Sequence, residues 1–263
     1  MPQLSDALLD GSVVLVSGGT QGLGAAIATA VVRNGADVVV TGRRKDVGDQ
    51  FAADLAWPGR QVLYVQADAG DVGQCQAAVA ETIDRFGRID CVVNCAGLTT
   101  RGTMLDTTPE LFDEHVAVNL RGPFFLMQAA IKDMVGRGMG GSIVNIISMS
   151  SHGGQPYLAP YVASKSGLVG LTRNAAFAHR WDRIRINGVN IGWTETEGED
   201  ATQRRFHDAD DGWLEKAAAQ QPMGKLGQVE EIADFVVFLL SARSGVVTGS
   251  VIDWDQIIPG AHE

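Results

Sequence analysis

Short apolar runs alternate with longer amphipathic stretches along this chain. Residues 13–16 form the first continuous apolar run, which is typical of a strand buried on both faces. The same reasoning predicts strands at residues 38–41, 61–66, 89–94, 142–147, 184–189 and 250–253. Helical patterns lie between them: one from residue 23 to a cap at Asn34 and Gly35, and others around 47–56, 72–86, 109–137, 161–178 and 230–241.

This alternation predicts the fold class. Strands that alternate with helices imply right-handed crossovers and a parallel sheet that is covered on both faces. We therefore predict an α/β fold: a doubly wound, Rossmann-like parallel sheet of about seven strands with helices on both faces. The 263 residues contain no linker, repeat or low-complexity run, so residues 1–263 are predicted to form a single domain.

The first strand and the first helix are joined by a glycine-rich turn, SGGTQGLG, at residues 17–24. Glycines let a backbone turn tightly and approach a pyrophosphate, which then meets the unpaired N–H groups and the positive end of the helix. Such a turn is also found as a purely structural element. Its position between a buried strand and a helix favours phosphate binding. Asp68, residues 94–97 and Ser148 follow other strands and are expected at the same edge of the sheet.

A proton-transfer unit is predicted at residues 148–165. Tyr161 and Lys165 are spaced i, i+4, so they lie on one face of a helix that begins near Pro160. A nearby ammonium favours phenolate, and we expect it to lower the pKa of Tyr161 from its usual value of about 10. Ser148 ends a strand, where its hydroxyl is free to bond the same substrate oxygen. The alternative is a half-buried tyrosine beside a solvated lysine.

Composition excludes several classes of function. The formal net charge of −10 argues against nucleic acid or an anionic membrane as a partner. No stretch is apolar enough for a membrane span, and the N-terminal residues do not resemble a signal peptide. The three cysteines, Cys75, Cys91 and Cys95, lack metal-ligand spacing, so we predict no metal site and a reduced, cytoplasmic setting.

Taken together, these motifs resemble the short-chain dehydrogenase/reductase family over nearly the whole chain. Residues 17–24 are similar to the family's TGxxxGxG turn, with serine in place of threonine, and residues 94–97, NCAG, are similar to its NNAG element. Asn119 matches the helix asparagine of a water-linked proton relay. Ser148, Tyr161 and Lys165 match the serine and the YxxxK pair with the usual spacing.

The resemblance implies a role for each matching residue. Tyr161 would be the general acid/base, Ser148 would polarise the substrate oxygen, and Lys165 would lower the Tyr161 pKa and bind the nicotinamide ribose. Asn119 would complete the relay; a helix-bend role in which it bonds backbone is equally open. We expect the dinucleotide to be bound by Tyr161, Lys165 and these further residues: Gly18, Thr20, Gln21, Gly22, Leu23, Gly24, Arg43, Asp68, Ala69, Asn94, Ala96, Gly97 and Thr196.

Two departures from the family pattern concern the substrate loop and the tail. The family's PG reads Ile191-Gly192 here, which predicts a freer turn, and its DGG reads Asp255-Gln256-Ile257, which puts the usual close packing of the tail in doubt. Neither departure involves the proton-transfer residues.

The end of the second strand bears on the choice of cofactor. A carboxylate there would bond the adenosine 2′-hydroxyl and select NAD. This chain reads Thr41-Gly42-Arg43-Arg44, and Arg43 can pair with a 2′-phosphate through its planar fork. We therefore favour NADP over NAD. Stacking of Arg43 on adenine is the alternative, and Gln21 supplies no second cation in the turn.

Residues 193–222 are predicted to form a substrate-covering flap. Trp193, His207 and Trp213 fit a pocket for a polyhydroxylated substrate, although a solvated acidic face with anchoring tryptophans is the favoured interpretation. His152 contacts either substrate or solvent, and Arg101 and His115 receive no role. Small residues on the Tyr161 helix favour a homo-oligomer, in the resembled family commonly a tetramer: Ala163, Ser164, Gly167, Gly170, Ala175 and Ala176.

Three hypotheses for the function follow. The first is an NAD(P)-dependent oxidoreductase that transfers a hydride between a nicotinamide cofactor and an alcohol or ketone, with sugars and polyols among the candidate substrates. The second is a catalytically silent dinucleotide-binding module. An enoyl reductase is disfavoured, because its tyrosine and lysine are usually spaced more widely.

Overall fold

The computed structural model describes residues 7–260, and its seven strands form one parallel sheet. The order is β3-β2-β1-β4-β5-β6-β7, which confirms the predicted fold class. The strands are β1 (Val13–Ser17), β2 (Asp37–Gly42), β3 (Val62–Gln66), β4 (Cys91–Asn94), β5 (Gly141–Ile146), β6 (Ile184–Ile191) and β7 (Val251–Trp254). The order reverses at β1, which pairs with both β2 and β4, and ligands bind beyond such a switch point.

Nine α-helices lie within residues 7–260: α1 (Gly22–Arg33), α2 (Lys45–Asp54), α3 (Val72–Phe86), α4 (Pro109–Val116), α5 (Gly122–Arg137), α6 (Ala159–His179), α7 (Glu197–His207), α8 (Trp213–Ala219) and α9 (Val229–Leu240). The single helix predicted at 109–137 is interrupted by a π-helical segment, Ala117–Arg121. On α6, Ser164 and Ala176 are buried within the chain, so these two small residues do not form an outer packing surface.

The two faces of the sheet are covered by different helices. Val14 and Val16 of β1 pack in one core with α1 and α9, while Leu15 between them packs in the other with α3, α5 and α6. Because successive strand residues point to opposite faces, an all-apolar strand supplies both cores at once. The carboxyl ends of the strands therefore sit between two helical layers.

Hydrogen bonds connect the loop after β6 and the tail to neighbouring segments. Gly192 N–H donates to the carbonyl of Trp254 at 3.1 Å, and Gly192 has the Asp255 carboxylate against it. Gln256 bonds twice to the segment after α8, accepting from Met223 N–H and donating to the Lys225 carbonyl, both at 2.7 Å. The doubt about close packing of the tail is thus answered by these contacts for residues 254–256, and a turn freer than the family's stays a prediction.

None of the helices between residues 7 and 260 combines the length and the apolar character that crossing a bilayer needs.

The glycine turn fixes how closely α1 approaches β1. A Cβ on Gly24 would lie 2.0 Å from the Gly18 carbonyl oxygen, a backbone atom that cannot rotate away. Gly18 has a φ of +73°, and a Cβ placed on it would lie 2.7 Å from the Cα of Ala96. The turn is therefore a close backbone contact that needs glycine at both positions.

We predict that Gly24→Ala lowers the free energy of unfolding by about 1–3 kcal/mol, because overpacking against fixed backbone forces the turn to shift. Gly136→Ala, on the exposed side of α5 with open space around it, should instead raise that free energy by about 0.5–1 kcal/mol. Urea unfolding of the two variants checks both signs. Equal effects would show that the contact between α1 and the turn is not tight.

Candidate active site

Ser148 and Tyr161 meet at the carboxyl end of β5. Ser148 has extended backbone and its hydroxyl accepts from Ser150 N–H at 3.1 Å. Pro160 lies in the first turn of α6, so Tyr161 stands at the start of that helix. The tyrosine is buried, and its phenol shares a hydrogen bond with the Ser148 hydroxyl. The structure therefore brings the predicted acid/base and its serine into direct contact.

Lys165 lies one turn along α6 from Tyr161. Its Nζ is 5.7 Å from the centre of the Tyr161 ring and donates to the Ile146 carbonyl at 2.9 Å. The side chain is buried, and this burial lowers the pKa of Lys165 to about 8. The lysine thus joins α6 to the end of β5 while it faces the phenol.

The expected lowering of the Tyr161 pKa is wrong in this structure. The pKa of Tyr161 is raised to about 12, chiefly by burial and in smaller part by the charge of Glu199. The Ser148 hydrogen bond and the Arg101 charge act in the opposite direction. The sequence argument counted the neighbouring ammonium but not the loss of water around the phenol, which here has the larger effect.

Asn119 lies in the π-helical segment and is fully buried. Its Oδ1 accepts from Leu98 N–H at 2.8 Å, and its Nδ2 donates to the Leu98 carbonyl and to Ser164 Oγ at 2.9 and 3.0 Å. The helix-bend role, in which Asn119 bonds backbone, is therefore present. It fixes the loop after β4 against α6, and π segments of this kind are frequent at functional sites. The proton-relay role stays a prediction.

The N-terminus of α1 fits a dinucleotide pyrophosphate. Gln21 caps the helix without a side-chain hydrogen bond, and the first turn carries no acidic residue. By contrast, Asp71, Thr108 and Thr196 each cap their own helices through a side-chain oxygen. The backbone N–H groups of Gly22, Leu23 and Gly24 open α1, and unpaired groups at such a position suit an anion. The residues present therefore fit the phosphates that the sequence predicts.

Arg43 and Asp68 line one cleft of about 510 Å³ at the ends of β2 and β3. Asp68 accepts from Gly70 N–H at 2.8 Å, which fixes its loop. The backbone of Ala69 packs against the start of α5, since a Cβ on Gly122 would lie 1.9 Å from the Ala69 carbonyl oxygen. Arg44, which the sequence analysis did not single out, donates to Gln21 Oε1 beside the glycine turn. Arg43 therefore lines the cleft, and Arg44 lies beside the glycine turn.

The residues after β4 divide between packing and the cleft. Asn94 is buried and donates to Asn145 Oδ1 at 2.8 Å, so its side chain is used inside the sheet. Ala96 packs against Gly18, and a Cβ on Gly97 would lie 3.7 Å from Asn119 Oδ1 and 3.8 Å from Lys165 Nζ. Gly97 is therefore the member of this group that lies beside the proton-transfer residues.

Thr196 joins the flap to the glycine turn. It caps α7 through Oγ1, which accepts from Glu199 N–H at 2.9 Å. A Cβ placed on Gly22 would lie 3.8 Å from the Thr196 methyl group, so Thr196 is close to the turn.

The flap tryptophans bond to carboxylates of α7. Trp193 Nε1 donates to Glu199 and Trp213 Nε1 donates to Asp200, both at 2.7 Å, and the two indoles stack with centres 6.1 Å apart. This arrangement agrees with the anchoring role. It also holds the Glu199 carboxylate where its charge acts on Tyr161.

Two residues without a predicted role lie at the site. Arg101 exerts its charge on Tyr161 and bonds His207 of α7 at 3.0 Å. His115 is fully buried, with its ring 6.5 Å from that of Tyr161 and edge-on to it. The available signal for Arg101 was its place just after the NCAG motif. His152 instead pairs with Asp253 at 3.0 Å in a second cavity, of about 360 Å³. No group of three or more metal-ligating side chains occurs among residues 7–260.

Comparison with known proteins points in one direction. A family model described as Enoyl-(Acyl carrier protein) reductase matches residues 18–256. The chain is 34% identical to an L-rhamnose 1-dehydrogenase (NAD(P)(+)) of Sphingomonas sp. strain SKA58, covering 93% of this chain and 95% of that protein. It is 35% identical to an NADP-dependent (R)-specific alcohol dehydrogenase of Lentilactobacillus kefiri, covering 92% and 94% respectively.

The fold is equally similar to solved structures. A short-chain type dehydrogenase/reductase from Mycobacterium marinum superimposes with a TM-score of 0.86 at 30% identity, covering 94% of this chain and 95% of the other. The likeness therefore extends over almost the whole length of each protein.

We predict that Lys165 makes stability rise with pH between about 8 and 10. An unfolded lysine has a pKa near ~10.4, so in this range the unfolded state binds more protons and the free energy of unfolding rises by up to about 1.4 kcal/mol per unit. Tyr161 acts in the opposite direction only above pH ~10, where the unfolded phenol ionises. The three cysteines, whose pKa values burial also raises, oppose the rise. Cys75 and Cys91 do so in wild type and variant alike, whereas the pKa of Cys95 is also lowered by the charge of Lys165, so its part of the difference belongs to the same substitution.

The measurement is urea unfolding of wild type and Lys165→Met across this range. Wild type should gain about 2 kcal/mol relative to the variant. Lys132→Met, at an exposed position of α5, is the control and should follow wild type. Parallel curves for wild type and Lys165→Met would show that Lys165 is solvated.

Proposed function

The chain belongs to the short-chain dehydrogenase/reductase family of oxidoreductases, and from that premise we propose that it interconverts an alcohol and a ketone with a nicotinamide dinucleotide as hydride carrier. The observation that carries this proposal is the contact between Ser148 and the phenol of Tyr161, with Lys165 one turn away. When bound, the nicotinamide supplies the hydride acceptor for alcohol oxidation and the donor for ketone reduction.

The protein's own residues would handle the proton. In reduction, the Ser148 hydroxyl holds the substrate oxygen and the Tyr161 phenol gives it a proton; in oxidation, the phenolate takes that proton back. With its pKa raised to about 12, Tyr161 is a neutral phenol at physiological pH and is ready to act as the acid. The charge of Arg101 favours the phenolate that oxidation requires, and the family resemblance gives Lys165 the same role.

The remaining site residues would bind and position the dinucleotide. The N–H groups of the glycine turn suit the pyrophosphate, Asp68 the adenine and Thr196 the carboxamide. Asn119 would position Leu98 and Gly97 beside Lys165, and the flap of residues 193–222 would cover the site. The open N-terminus of α1 and the position of Thr196 against Gly22 support this assignment.

We propose NADP as the preferred cofactor. Arg43 is exposed in the cleft beside Asp68, and Arg44 reaches Gln21 at the turn, so two guanidinium groups flank the predicted ribose. One relative is named as NADP-dependent and another as accepting NAD(P), which is compatible with this preference. Those relatives also make secondary alcohols and sugars the first substrates to try.

We further propose a cytoplasmic homo-oligomer, with a tetramer favoured. Support comes from exposed aromatic side chains on and just after the two long helices: Phe124 on α5, Phe177 on α6 and Trp181 after it. The three cysteines are free thiols, which agrees with a reducing compartment.

The test of the function is Tyr161→Phe. We expect wild type to change nicotinamide absorbance with at least one member of an alcohol, sugar and ketone panel, and the variant to lose about 10²–10⁴-fold in kcat/KM, because the proton donor is gone. Cofactor binding should change less than about threefold, since the ring remains. If both proteins bind the dinucleotide and neither turns over any substrate, the silent binding module is the better account.

The test of cofactor choice is Arg43→Ala. Loss of a charge-assisted hydrogen bond of about 1.5–3 kcal/mol should weaken NADPH binding by roughly 10–100-fold and NADH binding far less. Calorimetric titration of both nucleotides measures the difference. Arg60→Ala, whose guanidinium pairs with Asp10, is the control and should bind both as wild type does. Equal weakening of the two nucleotides would contradict the 2′-phosphate contact.

A further inference from the structure

Arg101 lies at the mouth of the site and is fixed there by backbone pairing. Gly102 N–H donates to the Tyr157 carbonyl at 3.0 Å, and Ala159 N–H donates to the Gly102 carbonyl at 2.9 Å. These bonds tie the loop after β4 to the residues that lead into α6. Tyr161 follows two residues after Ala159, so Arg101 and the phenol are held on neighbouring, connected segments.

The guanidinium of Arg101 is oriented by its own loop and by the flap. Nη1 donates to the Thr99 carbonyl at 2.9 Å, and Nη2 bonds His207 Nε2 at 3.0 Å. Its carbon lies 5.4 Å from the centre of the Tyr157 ring and 5.5 Å from that of Phe206. A guanidinium held between two aromatic rings is poorly hydrated and has one preferred orientation.

None of the carboxylates in the part of the chain that the structure describes forms a salt bridge with this cation. Within residues 7–260, Arg60, Arg88, Arg137 and Arg204 all pair with aspartates, whereas Arg101 has no salt bridge. Its Nε–H is buried and has no hydrogen-bond partner in the structure. A buried N–H without a partner is costly and rare, so a charged donor left in this state beside a reaction centre indicates a partner that arrives with the substrate.

The carboxylate of Glu199, the negative charge that acts on Tyr161, already accepts hydrogen bonds from other side chains. Glu199 Oε1 accepts from Trp193 Nε1 and from Gln203 Nε2, both at 2.7 Å. Glu199 and Arg101 act on Tyr161 with opposite sign. An anion in the pocket is therefore repelled by one wall and attracted by the other, which directs it to Arg101.

We propose that Arg101 binds a carboxylate of the substrate, so that the enzyme acts on hydroxycarboxylates and on the matching oxocarboxylates. The Nε–H and a terminal N–H of one guanidinium form the fork that matches two carboxylate oxygens. Tyr157 and Phe206 contact the carbon body, and the substrate's hydroxyl is presented to Ser148 and Tyr161. This inference rests on the proposed oxidoreductase function and specifies its substrate class.

The experiment compares matched anionic and neutral substrates. The anionic set is 3-hydroxybutyrate, mandelate and gluconate; the neutral set is methyl 3-hydroxybutyrate, methyl mandelate and sorbitol. Wild type should prefer at least one acid over its neutral partner by about tenfold or more in kcat/KM, which is the effect of one good charged hydrogen bond. Arg101→Gln should reverse that preference, mainly through KM, and Arg101→Lys should restore only part of it because lysine has no fork.

A control separates this role from a structural one. Arg180→Gln removes a guanidinium that lies over the exposed ring of Phe177, at the far end of α6, and should leave both sets of rates unchanged. A merely structural Arg101 would make Arg101→Gln lose acid and neutral activity equally. That result, or a wild-type preference for the neutral partners, would overturn the proposal.

A binding readout keeps the inference testable apart from turnover. Acetoacetate and methyl acetoacetate are titrated calorimetrically into wild type and Arg101→Gln with saturating oxidised cofactor, which cannot reduce a ketone. Binding of acetoacetate that is at least tenfold tighter in wild type supports the carboxylate site, even if no substrate is turned over and the proposed function fails. Absence of any Arg101-dependent difference refutes the site, even if neutral alcohols are oxidised.

Discussion

The structure depends on the burial of a phenol and an amine together at the end of one strand. Tyr161 and Lys165 leave water when α6 packs on the sheet, and each then needs a polar partner inside the protein. Ser148 supplies one for the phenol, and the carbonyl of Ile146 supplies one for the amine. Ile146 is the last residue of β5 and Ser148 follows two residues later. The packing of α6 on the sheet therefore also positions the phenol and the amine of its first two turns.

Desolvation moves the pKa values of Tyr161 and Lys165 apart and reverses their usual order. Burial raises the pKa of Tyr161 and lowers that of Lys165, so both groups are pushed toward the neutral form. On the phenol, Glu199 of the flap acts in the same direction as burial, whereas Arg101, on the loop after β4, acts against it. Segments that are far apart in sequence therefore set the acidity of one group.

A second set of hydrogen bonds connects β4 and the loop after it to β5 and α6. Asn119 connects Leu98 to Ser164 of α6, and Asn145 of β5 accepts from Asn94 and donates to Thr172 of α6 at 2.9 Å. Because every one of these groups is buried, loss of one leaves its partner unsatisfied. The loop that holds Arg101 is in this way fixed to the helix that holds Tyr161.

The sequence by itself determined the order of strands and helices, the glycine turn and the spacing of Tyr161 and Lys165. These features follow from local rules: burial on both faces requires continuous apolar strands, close backbone approach requires glycine at Gly24, and a helix places i and i+4 on one face. A bend at Asn119 was one of two open roles within a single predicted helix, and the π segment at residues 117–121 was visible only in the structure, where Asn119 bonds Leu98 and Ser164.

Only the tertiary structure decided the acidity of Tyr161, the internal use of Asn94 and the position of Arg101. Each of these depends on groups that folding brings together from distant parts of the chain. The acidity of Tyr161 depends in addition on the water that folding removes from around the phenol. Periodicity records which side of an element is buried. It does not record which distant charge or carbonyl will stand opposite, and that pairing is what gives the site its chemistry.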